Sequence, residues 1–412
     1  MSTRARALII GCHGGVGRAL LGLLRDSGPG ARLRDRCDAL FLLDRVAGEP
    51  PLLDGATLLP PQPIEQAADL VRLISDHGLT HVVDVSSLDT TECTRACDDL
   101  GVHYLCTSVE EWPGRGSIPT DAAISRLLPP RRPALTRAGH LVGSGANPGI
   151  VNALVPCAIR EMARRAGVAP TLEALDLHAI LITEEDTTRP SGGGDSTDVF
   201  AMTWSPQHCL EELFEARAFA ARDGRVVDLG HRPTAALYEA RCGDRIIRGM
   251  AVPHEELVTL GTRYRDVEIA FIYRLPRQAR RALAAHPART RPDGWRTRRL
   301  YPPWTDALEG RDRVGVLLCS RRFGELWMGF DTPVSAGLRY GTNATQLQVA
   351  AGVLAGWSQL GNLRGIHFVE DLDTDRFVRV ASEILGPPGV VHDPEARPVS
   401  LTDRVVPLAV AV

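Results

Sequence analysis

Acidic, amide and indole side chains in the middle of this chain carry groups that can hold a cationic substrate. Asn147 lies in the segment Ser-Gly-Ala-Asn-Pro-Gly, Glu184 follows an apolar run, and Trp204 comes 20 residues later. Carboxylates attract ammonium groups, and the face of an indole is the best side-chain partner for a cation. Each of these residues alone is more often a surface or core residue, but together they predict a site for an amine.

A glycine-rich segment near the beginning of the chain predicts a dinucleotide site. Gly11, Gly14 and Gly17 are spaced Gly-x-x-Gly-x-x-Gly, which is one residue off the strict Gly-x-Gly-x-x-Gly pattern. Such glycines allow the backbone to approach a pyrophosphate at a helix N-terminus, although an ordinary strand-to-helix turn has the same composition. Asp44 ends the next apolar run, where an acid favours NAD over NADP, whereas the adjacent Arg45 could accept a 2′-phosphate. The residues expected to bind the cofactor are Gly11, Gly14, Gly15, Val16, Gly17, Asp44, Ser86, Ser87 and Asn147.

Other polar residues follow predicted strands and are candidates for the same crevice. Ser86 and Ser87 end one strand, and Glu110 follows another, at the edge where open parallel sheets bind ligands. The two serines could instead cap the next helix. His254 could move a proton near neutral pH, and Asp306 is a further acid with little support of its own.

Strand and helix patterns alternate through the first part of the chain, which predicts an α/β fold built on a Rossmann-type doubly wound parallel sheet. A second, α+β domain should bind the substrate and form the dimer contact. Its predicted helix covers residues 150–166, its predicted strands cover 175–182, 238–241, 267–273 and 314–319, and the arginine-rich segment 277–299 is expected to be solvated. We expect an NAD-binding domain over residues 1–145, with 335–412 packing back on it, and a substrate-binding domain over residues 146–334.

Composition excludes several functions. The formal net charge is −3 with no basic block, so nucleic acid is not an expected partner. The chain has no lysine, all 47 basic residues being arginine, so no imine here can be a lysine Schiff base. We expect no signal peptide or membrane span, no disulfide framework from the nine scattered cysteines, no metal site, and a cytoplasmic location.

The chain resembles the homospermidine synthases, within the wider saccharopine dehydrogenase-like group. The similar segments occur in the same order as in that family and extend from the third strand to a late helix. They are residues 83–88, 109–114, 145–149, 184–187, 203–205, 315–318 and 343–349. Gly-Ala-Asn-Pro-Gly and Asn-Ala-Thr-x-Leu-Gln-Val are the more specific of these motifs.

The resemblance implies an NAD-dependent polyamine reaction on a diamine such as putrescine. A diamine is oxidised to an imine, a second amine attacks, ammonia leaves, and the same NADH reduces the new imine. By the same resemblance, Trp204 would hold the cationic amine or iminium face-on, and Glu110 and Glu184 would bind distal ammonium groups. The expected catalytic residues are Glu110, Asn147, Glu184, Trp204, His254 and Asp306, and the expected assembly is a homodimer.

Two other functions stay open from the sequence. A saccharopine or carboxyspermidine dehydrogenase-like enzyme would join an amine to a carbonyl acid and consume NAD(P)H, but it would need arginines facing the substrate carboxylate. A non-catalytic NAD-binding regulator would keep the glycine loop and Asp44 without gathering Glu110, Glu184 and Trp204 in one place. Thr188, which stands where the family commonly has Gln, leaves the choice of amine open.

Overall fold

A computed structural model describes residues 4–48, 53–112, 118–192, 196–302 and 307–406. The described strands in chain order are β1 (Ala5–Ile10), β2 (Cys37–Leu43), β3 (Ala56–Leu58), β4 (His81–Asp84), β5 (His103–Cys106), β6 (Gly139–Leu141), β7 (Leu177–Asp186), β8 (Arg189–Pro190), β9 (Val199–Met202), β10 (Phe219–Arg222), β11 (Arg225–Asp228), β12 (Leu237–Cys242), β13 (Arg245–Ala251), β14 (Glu268–Arg274), β15 (Arg296–Arg299), β16 (Leu308–Glu309), β17 (Arg311–Ser320), β18 (Gly324–Pro333), β19 (Gly365–His367), β20 (Gly389–Asp393) and β21 (Val405–Val406).

The described helices alternate with the strands in the first third of the chain and are sparser later. They are α1 (Gly15–Asp26), α2 (Gly28–Arg34), α3 (Ala67–His77), α4 (Thr90–Asp99), α5 (Thr120–Ser125), α6 (Ile150–Ala166), α7 (Pro206–Leu213), α8 (Glu255–Arg263), α9 (Arg277–Ala285), α10 (Val334–Leu338), α11 (Ala344–Leu360) and α12 (Thr374–Leu385). No helix among the residues that the structure describes is long and apolar enough to cross a membrane.

The first sheet is parallel throughout, with the strand order β19-β6-β5-β4-β1-β2-β3. Its central strands are short apolar runs that are buried on both faces, as in β1, where residues 7–10 are all buried. The chain leaves β1 toward β2 on one side and later returns to β4 on the other. This reversal opens a crevice at the carboxyl ends of β1 and β4, the usual ligand position in such folds. The predicted doubly wound α/β fold is confirmed.

The second sheet is mixed, and β7 lies at its centre. β7 pairs in parallel with β14 and antiparallel with β17, within the order β20-β18-β17-β7-β14-β13-β12-β21. Nine of the ten residues of β7 are buried, so the polar residues at its carboxyl end are held inside the protein. The predicted α+β architecture of this part of the chain is therefore confirmed.

The last part of the chain contributes to both sheets. α11 packs on α1 and α12, and β19 extends the first sheet beside β6. β20 and β21 instead join the second sheet, through β18 and β12 respectively. The sequence predicts that the segment 335–412 packs back on the first domain; α11 and β19 lie there, and β20 and β21 lie in the second sheet.

The arginine-rich segment after β14 is mostly exposed, as its composition predicts, and it contains two regular elements. Residues 277–299, which the sequence predicts to be solvated, include the helix α9 and the strand β15. Ala279 and Ala282 are fully buried, because two small residues one helical turn apart are enough to seat a helix on its neighbours. Counting only the large apolar residues of the sequence would not predict this contact of α9.

Candidate functional site

The glycine loop connects β1 to α1 with a close approach of backbone to backbone. Gly11 has a φ of +85°, and α1 begins at Gly15 after Gly14, which has no side chain to cap the helix. A Cβ atom at Gly17 would lie 2.2 Å from the carbonyl oxygen of Gly11, so a side chain there would force the loop apart. The first turn of α1 thus presents its free N–H groups at the crevice, as a pyrophosphate site requires. Val16 lies half-buried in the same turn.

Asp44 lies directly against this loop. The backbone N–H of His13 donates to Asp44 Oδ2 at 2.9 Å. The Cys12 thiol, a ring nitrogen of His13 and an Asp44 carboxylate oxygen come within 4.8 Å of one another. The acid that ends β2 is therefore placed beside the glycine loop, where a ribose hydroxyl would be bound.

Ser86 and Ser87 do not cap the next helix. The N-cap of α4 is Asp89, whose carboxylate accepts from the N–H of Glu92 at 2.8 Å. Ser86 instead donates its hydroxyl to the buried Asp84 at 2.6 Å, and its Cβ lies 3.3 Å from the position of a Cβ on Gly11. Ser86 therefore faces the glycine loop from β4, while Ser87 follows it with a partly exposed side chain.

Three carboxyl groups gather at the carboxyl end of β7. Successive residues of a strand point to opposite faces, so Glu184 and Asp186 share one face. Asp312 on β17 lies opposite Asp186 in the antiparallel register. All three side chains are buried, at 3%, 2% and 0% exposure respectively.

Neutral donors bind these three carboxyl groups. Asn147 donates its amide to Glu184 Oε2 at 2.6 Å, which brings the two predicted catalytic residues together. The hydroxyl of Thr203 donates to Asp186 Oδ2, and that of Thr345 donates to Asp312 Oδ2, both at 2.6 Å. The oxygen Asp312 Oδ1 is buried, and none of the described residues is its hydrogen-bond partner.

Burial and mutual repulsion weaken the acidity of this cluster. Burial, followed by the charge of Asp186, raises the pKa of Glu184 to about 8. Burial raises the pKa of Asp186 to about 6, although the hydrogen bonds from Thr203 and Thr188 lower it. Burial also raises the pKa of Asp312 well above its usual value. A group of buried carboxyls with raised pKa values is stabilised when a cation enters among them.

Glu185 belongs to a different environment, although the sequence groups it with Glu184 and Asp186. It forms ion pairs with Arg274 at 2.6 Å, Arg313 at 3.3 Å and Arg245 at 3.5 Å. The alternation of β7 turns its side chain to the opposite face. The charge of Glu185 is thus neutralised by arginine, on the face opposite to that of Glu184 and Asp186.

The motif at residues 343–349 supports the acid cluster. Asn343 caps α11, accepting from the N–H of Gln346 at 2.9 Å, and its amide donates to the carbonyl of Thr203 at 2.6 Å. Thr345 binds Asp312, as described above, and Gln348 donates to the backbone carbonyl of Asp312 at 3.0 Å. This one turn of helix therefore fixes the residues that bind two of the three carboxyls.

Trp204 lies between β9 and α7, next to the acid cluster. Its indole N–H donates to the hydroxyl of Tyr273 at 3.4 Å, and Tyr273 pairs with Glu184 across the sheet. The indole is only partly buried, whereas Tyr273 is almost fully buried. Part of the ring therefore stays available beside Glu184.

His254 forms a buried ion pair at the N-terminus of α8. Its Nδ1 binds the carboxylate of Glu256, and its Nε2 lies 4.0 Å from Glu212 Oε1. Burial alone would lower the pKa of His254, but the charges of Glu256, Glu212 and Glu255 raise it to about 10. His254 is therefore an imidazolium at neutral pH, and it counts among the charges that act on Glu184.

Glu110 occupies a separate, more open position. Ser108 donates to Glu110 Oε1 at 2.9 Å, and His208 Nδ1 lies 3.7 Å from the same oxygen. Glu110 also lines a surface cleft with Glu92, Arg95 and others. Among the described contacts, none joins Glu110 directly to Glu184. Asp306 lies outside the described residues.

Three acids of the site are absent from the sequence-based prediction. Asp312 is separated from Asp186 by more than 120 residues, and only the pairing of β17 with β7 brings them together. Glu212 and Glu256 sit in helices among other acids, where surface acids are common. The sequence carries one usable clue, since Glu256 follows His254 by two residues and could reach its ring.

No known family model matches the chain. In sequence, the chain is similar to the homospermidine synthase of Mesorhizobium japonicum, with 24% identity over 364 residues, covering 74% of this chain and 72% of that protein. In structure, it is similar to the homospermidine synthase of Legionella pneumophila, solved in complex with NAD, with a TM-score of 0.80, 19% identity and 98% of each chain covered.

The fold is also similar to that of the saccharopine dehydrogenase (L-Glu forming) of Saccharomyces cerevisiae, solved as the apo protein. The TM-score is 0.54 at 11% identity, covering 94% of this chain and all of that one, 100%. These structural similarities bear on the fold. Together with the sequence similarity, they confirm the predicted resemblance to homospermidine synthases.

Proposed function

We propose that this relative of the homospermidine synthases is an NAD-dependent enzyme that transfers an aminoalkyl group between two amines. The observation that carries the proposal is the buried cluster of Glu184, Asp186 and Asp312, whose hydrogen-bond donors are neutral. Glu185, one residue away on the other face, has three arginines instead. A cluster whose described side-chain donors are all neutral favours a cationic substrate over a carboxylate-bearing one.

The residues of the first sheet fit NAD. The loop at Gly11–Gly17 has no room for a side chain at Gly17, and the first turn of α1 can bind a pyrophosphate. Asp44 is held against this loop by His13 and would bind a ribose hydroxyl. When bound, NAD would accept a hydride from the amine-bearing carbon and later return it to the same carbon.

The acid cluster and Trp204 would bind and orient the diamine. One ammonium group enters among the carboxyls, where Asp312 Oδ1 lacks a partner, and this charge supports the ionised form of Glu184. Trp204 is linked to Glu184 through Tyr273, and the exposed part of its ring can stabilise a cationic amine or iminium. Glu110, in its separate cleft, would bind the far ammonium of the incoming amine.

The chemistry needs protons to be moved but no added reductant. Two diamines give one triamine and one ammonia. The amine nitrogen of the second diamine adds to the imine carbon, the original C–N bond breaks, and a new C=N bond is left for reduction. His254, as an imidazolium fixed by Glu256, can protonate the departing nitrogen and take up the proton that the incoming amine loses. The burial of the cluster excludes water that would hydrolyse the imine.

Product analysis tests this function. Incubation with NAD+ and putrescine, followed by mass spectrometry and an ammonia assay, should give homospermidine and an equal amount of ammonia without net NADH. Turnover of NADH with an amine plus a carbonyl acid, and none with putrescine, would assign the chain to reductive amination instead. The homodimer also stays a proposal, which light scattering on the purified protein tests.

A further inference from the structure

A small cavity adjoins Glu256, the residue that binds the ring of His254. It is bounded by α6, α8 and the short helical turn after β19. The residues that line it include Pro148, Asn152, Glu255, Glu256, Thr259 and Glu370. Pro148 follows the site residue Asn147, and Glu256 binds the ring of His254, so the cavity shares a wall with the candidate active site.

Three carboxyl oxygens of residues that line this cavity have no hydrogen-bond partner in the described part of the chain. They are Glu255 Oε2, Glu256 Oε1 and Glu370 Oε1. Glu256 and Glu370 are 0% and 4% exposed, so their unpartnered oxygens are hidden from bulk solvent. An unsatisfied buried carboxyl oxygen costs free energy unless a donor reaches it.

The other oxygens of the same groups are well bound, which fixes the unpartnered ones in place. Asn152 donates to Glu370 Oε2 at 2.9 Å, and the N–H of Val109 donates to Glu255 Oε1 at 2.6 Å. The second oxygen of Glu256 is bound to His254. The unpartnered oxygens are therefore held in fixed positions around the cavity. When the three carboxyl groups are ionised, their negative charge is larger than the positive charge of the His254 ring.

We propose that this cavity binds one ammonium ion. The occupant must be cationic, because up to three carboxylates meet there, and it must donate several hydrogen bonds in different directions. Ammonium has four N–H donors and the size of a water molecule, which suits a cavity that adjoins the reacting centre without room for an alkyl chain. The proposal deepens the proposed function, since ammonia is the leaving group of that reaction and this pocket is next to His254, which would protonate it.

Ammonium binding can be measured without turnover. The NAD-loaded protein is melted in ammonium chloride, and separately in sodium, potassium or tetramethylammonium chloride at equal ionic strength, and direct binding is followed by NMR of 15N-ammonium. A ligand that binds only the folded state raises Tm in a saturable way. We expect this rise with ammonium and none with tetramethylammonium, which is too large.

Glu370→Gln provides the specific variant. Its amide keeps an acceptor for Asn152 and places N–H donors where the cation would lie, so the ammonium-dependent rise in Tm should disappear. Glu161→Gln, on the solvent side of α6, is the control and should keep the rise. An equal rise in Glu370→Gln, a rise with potassium alone, or no saturable binding of 15N-ammonium to the wild-type protein would overturn the proposal. Since none of these measurements involves catalysis, failure to form homospermidine would contradict the proposed function without affecting the binding result.

Discussion

Glu184→Gln tests the link between the acid cluster and cation binding. Burial and the charge of Asp186 raise the pKa of Glu184 to about 8, so in the free enzyme most molecules carry it protonated at pH 7. A cationic diamine binds the ionised form better. Between pH 7 and pH 9 the ionised fraction rises roughly tenfold, as expected for a single group with a pKa near the middle of that range. The glutamine of the variant cannot ionise, so its contribution does not change with pH.

The measurable quantity is the ratio of kcat/KM for putrescine between the wild-type protein and Glu184→Gln. Deprotonation of the substrate and of His254 affects both proteins and cancels in this ratio. We expect the ratio to rise roughly tenfold from pH 7 to pH 9, and to level off above. Glu161→Gln, whose carboxylate lies on the outside of α6, should show a ratio independent of pH. A flat ratio for Glu184→Gln would refute the assignment of Glu184 as the titrating cation site.

Three further perturbations address other parts of the account. Trp204→Ala should lower kcat/KM for the amine by roughly 2- to 30-fold, which is the range of a lost cation–π contact, whereas Trp204→Phe should keep much of the wild-type kcat/KM. An equal loss of NAD affinity in Trp204→Ala, measured by titration, would contradict the proposed role of the ring. Asp44→Ala should bring the dissociation constants for NAD and NADP closer together. An unchanged ratio of the two constants would contradict the prediction that Asp44 binds a ribose hydroxyl. Burial raises the pKa of Glu370 to about 7, so the stability that its protonated form contributes is present below the unfolded pKa and is lost as pH rises to about 7. Without ammonium, the free energy of unfolding of the wild-type protein should therefore fall by roughly 3 kcal/mol more than that of Glu370→Gln between pH 4.5 and pH 7, and parallel denaturant curves would contradict this.

The sequence predicts the fold best in those parts where each strand is a buried apolar run that ends in polar residues. The helix α6 covers the range that the sequence predicts for it, residues 150–166, because its caps and its apolar spacing agree. Residues 277–299 are mostly exposed, as the sequence predicts, and only a few residues of α9, among them Ala279 and Ala282, are buried. The division of the last segment between two sheets depends on the pairing of β20 and β21, and short strands carry little information about their partners.

The candidate site is predictable in part. Motifs identify Asn147 and Glu184, and the structure joins them by a hydrogen bond. The distinction between Glu184 and Glu185 is accessible from the sequence in principle, since adjacent strand residues face opposite ways. Asp312 is not, because its contact with Asp186 depends on the register between β7 and β17, which one sequence does not specify.

The most direct test of the central claim follows the hydride itself. Putrescine with deuterium on both carbons next to nitrogen is converted in ordinary water with NAD+ and an excess of unlabelled NADH, and the mass of the product is measured by mass spectrometry. If the hydride taken from the amine carbon is returned to that carbon within one acid-lined site, homospermidine should keep every deuterium of both diamines. Loss of one deuterium per molecule of product would contradict this account, because the hydride would then have come from outside the site.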